Sequence, residues 1–455
     1  MAGGDRPAVS GPGEGRDAVA AVWRIESARV VGALARYTRD FSLAEDVAQE
    51  ALAEALVSWP RDGVPRHPAG WLVTTGRRRA IDTFRRRAAQ DERYATMAAE
   101  LSDGDLGSGD ADAEAGADLL WDPDRINDDV LALIFVACHP VLSREANIAL
   151  TLRVVGGLSS DEIARAFLVP TATIQARITR AKKTLAAAQV PFAIPPGDER
   201  PARLSSVLSV LYLIFTEGSA ATSGEQWIRS DLAHEAIRLT RVLAQLMPKE
   251  SEVQGLLALL ELTAARFPAR IGEDGKPVLL EDQDRRRWDR AAIARGRAAL
   301  VQAGRLGRGL GAYGLQAAIA ECHAVASSVE RTDWTRIVVL YDALARIAPS
   351  PVVDLNRAVA VSMADGPAAA LPIVDDLIAG RSLSGSHLLP AVRGELLSRL
   401  GRTDEARADF ERALDLCGNE AERALLRDKI TRCEQALSPI RRASGHAAPP
   451  AGPAR

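Results

Sequence analysis

The sequence predicts an all-α protein. Of its 455 residues 47% are apolar but only 4% aromatic, and alanine and leucine dominate, a composition that favours helices over sheets. Apolar residues recur at helical spacing in segment after segment. A chain of this length has room for several domains and ample core.

Residues 1–17 are Gly/Pro-rich with no apolar core, so they read as a disordered lead and not a signal peptide. A first helix follows, with Val22, Ile25, Ala28, Val30, Leu34 and Tyr37 on its apolar side. The next two helices, over 43–87, organise the N-terminal half. LAEDVAQEALAEAL places Leu43, Val47, Ala51, Leu52, Ala55 and Leu56 on one stripe, with Glu45, Asp46, Gln49, Glu50 and Glu54 off it. Ser42 stands at the N-cap position with Glu45 three residues on, a capping-box spacing. The stretch 59–68 holds three prolines and a glycine, which excludes a continuous helix. Pro68 then opens WLVTTGRRRAIDTFRRR, where Arg77, Arg78 and Arg79 are followed by Arg85, Arg86 and Arg87, with the pairs Arg78/Arg85 and Arg79/Arg86 one heptad apart. That spacing lays a basic stripe along one side. An acidic helix beside an arginine-striped one suits contact with both a protein and a nucleic acid.

Residues 95–125 are acidic, with Gly, Ala and Ser between the charges; such a segment buries too little to order itself and reads as a linker. Helical pattern resumes over 126–190 and ends in LSSDEIARAFLVPTATIQARITRAKKTL, which has the layout of a helix-turn-helix. Ser160 and Thr171 are the expected caps, Pro170 sits in the turn, and Leu168 occupies a turn position where glycine is usual. Ile163, Ala164 and Phe167 face Ile174, Ile178, Ala181 and Leu185. Thr173, Gln175, Ala176, Arg177, Thr179, Arg180, Lys182 and Lys183 are left outward, with Thr171 at the helix start; short polar side chains suit base edges and cations suit phosphates.

Residues 191–201 form a Pro-rich junction, and 202–330 a helical extension. From 331 to 437 a repeat emerges: Ile337/Tyr341/Leu344, Ala370/Val374/Leu377 and Ala406/Phe410/Ala413 share the spacing i, i+4, i+7. They recur at roughly the 34-residue period of tetratricopeptide repeats. Residues 438–455, rich in Ala, Pro and Gly, read as a disordered tail.

The two N-terminal motifs, in this order, resemble a bacterial RNA polymerase sigma factor of the extracytoplasmic-function type. AEDVAQEAL (44–52) resembles the region 2 helix that docks on the polymerase clamp. The resemblance implies that Asp46, Gln49 and Glu50 contact core polymerase, on its clamp and flap regions together with region 4. It further implies that Trp59, Trp71, Arg77, Arg78, Arg79, Arg85 and Arg86 hold the melted −10 element, and that Thr171, Thr173, Gln175, Arg177, Arg180, Lys182 and Lys183 read the −35 element. VLYLIFTEG (210–218), DLAHEAIRLTR (231–241), LLALLEL (256–262) and LLEDQDRRRWD (279–289) resemble the extension of a subgroup with C-terminal tetratricopeptide repeats. In that subgroup the extension acts as a built-in regulator.

Two other readings stand beside this one: a helical-repeat scaffold, and a one-component helix-turn-helix regulator. No enzyme motif, phosphate loop or metal-ligand spacing stands out, so neither catalytic residues, cofactor nor metal is expected. Cys138, Cys322, Cys417 and Cys433 lie far apart with no C-x-x-C, which fits a reducing cytoplasm. No apolar run is long enough to span a bilayer. The expected partners are core polymerase, promoter DNA and a regulatory or intramolecular contact through the repeats, with no membrane.

Overall fold

A computed structural model describes residues 12–88, 123–167, 169–219, 230–272, 278, 280–307, 309–418 and 420–444. Among them the architecture is all-α, with no β-strand. Of the linker predicted over 95–125, residues 95–122 lie outside the described residues and 123–125 already belong to a helix; Leu168 and most of the proposed lead and tail also lie outside the described residues. Helices do enter the ends of the latter two: α1 begins at Pro12, and the last helix reaches Ser444. Two compact units are formed, Met1–Ile214 and Phe215–Arg455.

The first unit contains α1 (Pro12–Thr38), α2 (Phe41–Asp62), α3 (Pro68–Ala88), α4 (Pro123–Ala137), α5 (Arg144–Val154), α6 (Ser160–Phe167) and α7 (Thr171–Ala187). Helix α1 packs on α2, α3 and α4, and α7 packs on α5, α6 and α2. Val30, Leu34, Leu72 and Phe84 are among its buried side chains, each contributing about 1.5–3 kcal/mol on burial. The caps differ from those expected. Asp40, not Ser42, caps α2 by accepting from the Leu43 amide at 3.0 Å; a carboxylate there also meets the helix dipole. Ser159, not Ser160, forms the capping box of α6: its hydroxyl accepts from the Glu162 amide, and Glu162 accepts from the Ser159 amide. Pro170 occupies the N-cap of α7, and Thr171 instead donates to Asp161 at 2.8 Å. Helix α2 also runs past Trp59 and Pro60, closing where the Gly63 amide donates to the Trp59 carbonyl at 2.9 Å.

Helix α8 (Arg200–Ser219) carries the chain out of the first unit. The second continues with α9 (Ser230–Leu246), α10 (Ser251–Ala264), α11 (Arg290–Leu306) and α12 (Ala312–Val325). Helix α10 is the hub, packing on α9, α11 and α12. A Cβ on its Gly255 would fall 2.7 Å from the Gly314 amide nitrogen, so only glycine lets α10 and α12 approach so closely. Glu261 of α10 is 2% exposed and is gripped by Arg241 at 2.5 Å and Arg295 at 3.0 Å.

Helices α13 (Trp334–Ile347), α14 (Pro351–Ala364), α15 (Pro367–Ala379), α16 (Leu388–Arg399), α17 (Thr403–Leu416) and α18 (Glu420–Ser444) follow, each packed on the next. The repeating positions of the sequence fall on α13, α15 and α17, and all are buried except the half-buried Tyr341. Gly394 admits the Phe410 ring, whose Cε1 would lie 2.8 Å from an added Cβ.

Three of the charged residues in 282–289 are structural. Asp284 caps a short 3₁₀ turn, Asp289 caps α11, and Arg285 donates to the His323 and Ala326 carbonyls at 2.7 and 2.8 Å. Arg285 and Arg266 both lie over the buried Trp288 ring, at 4.6 and 5.7 Å. Burial, with Arg266 and Arg285 close by, pushes the His323 imidazole down to about 4. Unfolded, that ring takes up its proton near the ordinary value; folded, only near the lowered one. The unfolded chain therefore holds the extra proton between them, and the contribution is present in full above about 6.5 and lost as pH falls. Stability of the second unit should drop by about 2 kcal/mol from pH 7 to pH 5 through this group. Urea midpoints at the two pH values, with His323→Asn flattening the difference, check it.

Candidate functional site

Helices α2, α3 and α7 bring most of the expected interface residues into one unit, and each helix sorts them differently. On α2, Asp46 and Glu50 are exposed and Gln49 is half-buried, all beside a core face of Leu43, Ala44, Val47, Ala48 and Ala51. Glu45, expected off the apolar stripe, is 5% exposed. A buried carboxylate needs paired charge, and two cations supply it: Arg153 Nε at 3.3 Å and Lys182 Nζ at 2.8 Å. Lys182 also reaches Asp46 at 2.5 Å. Burial works against the Lys182 ammonium, yet Glu45 and Asp46 together outweigh it and hold its pKa above the ordinary lysine value.

This corrects the outward placement of Lys182. Its side chain is only 12% exposed and is committed to α2, so one residue expected at DNA holds one expected at polymerase. A second link ties α1 to α6, with Arg24 pairing with Glu162 at 2.7 Å. A third joins Arg36 of α1 to the buried Asp129 of α4 at 3.1 Å. The remaining α7 residues do face out: Gln175, Arg180 and Lys183 are exposed, while Thr171, Thr173 and Arg177 are half-exposed.

On α3, Arg78, Arg79, Arg85 and Arg86 are exposed, so the basic stripe exists. Arg79 pairs with Glu54 of α2 at 2.8 Å. Arg77 departs from the stripe: its guanidinium lies 4.7 Å over the Tyr37 ring, and burial lowers its pKa. The two tryptophans also separate. Trp59 is 3% exposed and meets Trp71 edge-on, with ring centroids 5.4 Å apart and planes at 71°. Trp59 is thus a core residue with no free face for a base; Trp71 is half-buried above it.

Sequence reasoning missed the Glu45–Arg153–Lys182 cluster. Glu45 lies 108 and 137 residues from its two cations, and neither helix pattern marks it as buried. Lys182→Met, which keeps the stem and removes the charge, should leave Glu45 with one cation and destabilise the first unit by about 1–3 kcal/mol. Adding Glu45→Gln should recover part of that loss. Denaturant unfolding reads both, and a wild-type midpoint for Lys182→Met would dismiss the cluster as a stabilising element.

Comparison with known proteins fits this division of the chain. Residues 24–90 match sigma-70 region 2, and residues 132–185 match sigma-70 region 4. Residues 203–304 match a family of unknown function, DUF6596. An uncharacterized protein of Rhizobium meliloti, R00370, is 48% identical over 88% of this chain and 92% of its own length. The ECF RNA polymerase sigma factor SigK of Mycobacterium ulcerans is 26% identical over 37% of this chain and 84% of its own. No described helix is long and apolar enough to cross a membrane. The chain belongs to one family with the R. meliloti protein, and its N-terminal half, with region 2 and region 4 in series, is that of a sigma-70-type sigma factor.

Proposed function

We propose that the chain binds core RNA polymerase in the cytoplasm, directs it to specific promoters and helps to melt them, with no catalytic role of its own. The observation that carries this is the pairing of an exposed arginine stripe on α3 with an exposed polar and basic face on α7, each within a matched sigma region. Arg78, Arg79, Arg85 and Arg86 would hold phosphates of the opened strand. Trp71 is the one tryptophan of the pair with surface to offer a base, and stacking a freed base is worth about 1–3 kcal/mol. Helices α6 and α7 would act as the helix-turn-helix, with Gln175 and Arg177 at base edges and Arg180 and Lys183 at phosphates. Asp46, Gln49 and Glu50 would meet polymerase. Because Lys182 holds Asp46, docking there exchanges an internal ion pair for an external one. Helices α13–α18 are proposed to be tetratricopeptide-like hairpins, and the extension an internal regulator of the sigma half.

Promoter-specific run-off transcription with the purified chain and core polymerase tests the reading; no specific initiation at any promoter, with transcripts of cells overexpressing the chain as the source of candidates, would overturn it. Arg78→Ala combined with Arg85→Ala should weaken promoter binding across all sequences and reduce the salt slope by about one per lost phosphate contact. Arg177→Ala should instead cost about 1–3 kcal/mol at its own base step alone. Filter binding of the holoenzyme across a salt series separates the two outcomes.

A further inference from the structure

The four cysteines differ sharply in their surroundings. Cys138, Cys322 and Cys433 are buried and belong to no group of metal-type ligands among the described residues, and burial raises each thiol, Cys138 to about 12; they serve as small hydrophobes. Cys417 sits where α17 ends, 5% exposed, beside two other metal-type ligands. His387 immediately precedes α16, and Glu422 lies in the first turn of α18. The His387 Nε2 is 2.8 Å from Glu422 Oε2, and the Cys417 Sγ is 3.6 Å from that same oxygen. All three ligand atoms lie within 4.8 Å of one another, a grouping found once among the described residues.

The geometry points to a zinc site: we propose that His387 Nε2, Cys417 Sγ and Glu422 Oε2 bind one Zn²⁺. Zinc–ligand lengths of about 2.0 Å to nitrogen or oxygen and 2.3 Å to sulfur, in a tetrahedron, put neighbouring ligand atoms roughly 3.3–3.5 Å apart. The two observed separations bracket that value. His387 Nε2 is shut off from solvent and, although close to the carboxylate, lies off the hydrogen-bonding direction. An imidazole, a thiolate and a carboxylate form a mixed donor set that suits zinc and excludes calcium or magnesium, which take oxygen. Binding releases the Cys417 thiol proton to solvent, and the resulting thiolate and carboxylate balance the dication. Arg423 holds the thiol-bearing residue in place by donating to the Cys417 and Leu414 carbonyls at 3.0 and 2.6 Å. Three protein ligands leave a fourth position for water or an exogenous ligand. The metal would fasten the start of α16 to the α17–α18 junction at the end of the array, and it does so independently of any role in transcription.

Titration of the metal-free full-length chain with Co²⁺, followed by displacement with Zn²⁺, tests the site. One Co²⁺ per chain is expected, with tetrahedral d–d bands and a thiolate-to-cobalt charge-transfer band, both abolished by Zn²⁺. Cys417→Ser should lose the charge-transfer band and Cys433→Ser should keep it. His387→Gln and Glu422→Gln, which preserve size, should each weaken Zn²⁺ binding at least tenfold while retaining wild-type helicity, so the test survives if Cys417→Ser fails to fold. Absence of the charge-transfer band in the wild type, or equal metal affinity in all four variants, overturns the site.

Discussion

The sigma half of the chain depends on one carboxylate. Glu45 is buried between α2, α5 and α7, and burying an unpaired charge would cost several kcal/mol. Arg153 and Lys182 offset that cost, and both come from region 4 while Glu45 belongs to region 2. Apolar contacts between helices tolerate sliding; a desolvated carboxylate between two cations does not, because each ångström of separation strands a charge. Glu45 therefore fixes the register of the two sigma regions as well as joining them. The extension repeats the device with Glu261, buried between Arg241 and Arg295.

The all-α class, the helices at 43–87 and 158–185, and the i, i+4, i+7 repeat were legible because each is local: periodicity of apolar residues reports which face is buried. Ile174, Ile178, Ala181 and Leu185 are buried as that pattern requires. What was not legible is long-range. Nothing near Lys182 in sequence distinguishes it from Lys183, yet one is held by two carboxylates 136 and 137 residues away and the other is exposed. Arg77 differs from Arg78 only in rotation about α3, which turns it under Tyr37. The capping residues slipped by one or two positions because Ser, Asp and Thr compete for the same amides, and tertiary partners such as Asp161 for Thr171 decide between them.

Around Trp288 the extension adds a different balance. Arg266 and Arg285 lie over Trp288, so their charge is met partly by the ring's electron-rich face and partly by oxygens: the Gln283 amide for Arg266, and the His323 and Ala326 carbonyls with the Glu330 carboxylate nearby for Arg285. That arrangement leaves a buried positive region that His323 can join only as a neutral ring. Two aspartates of the same stretch, Asp284 and Asp289, are spent on helix starts.

The edge-on contact of Trp59 and Trp71 has an optical consequence. Trp59 is almost wholly buried and its ring abuts a second indole, so its emission is set by the closed packing of α2 on α3. Any partner that parts these helices lets water reach an indole now kept dry and changes the coupling between the two rings. Among seven tryptophans, this pair sits where the arginine-bearing helix meets the acidic one, and it gives the protein an intrinsic fluorescent gauge of that seam.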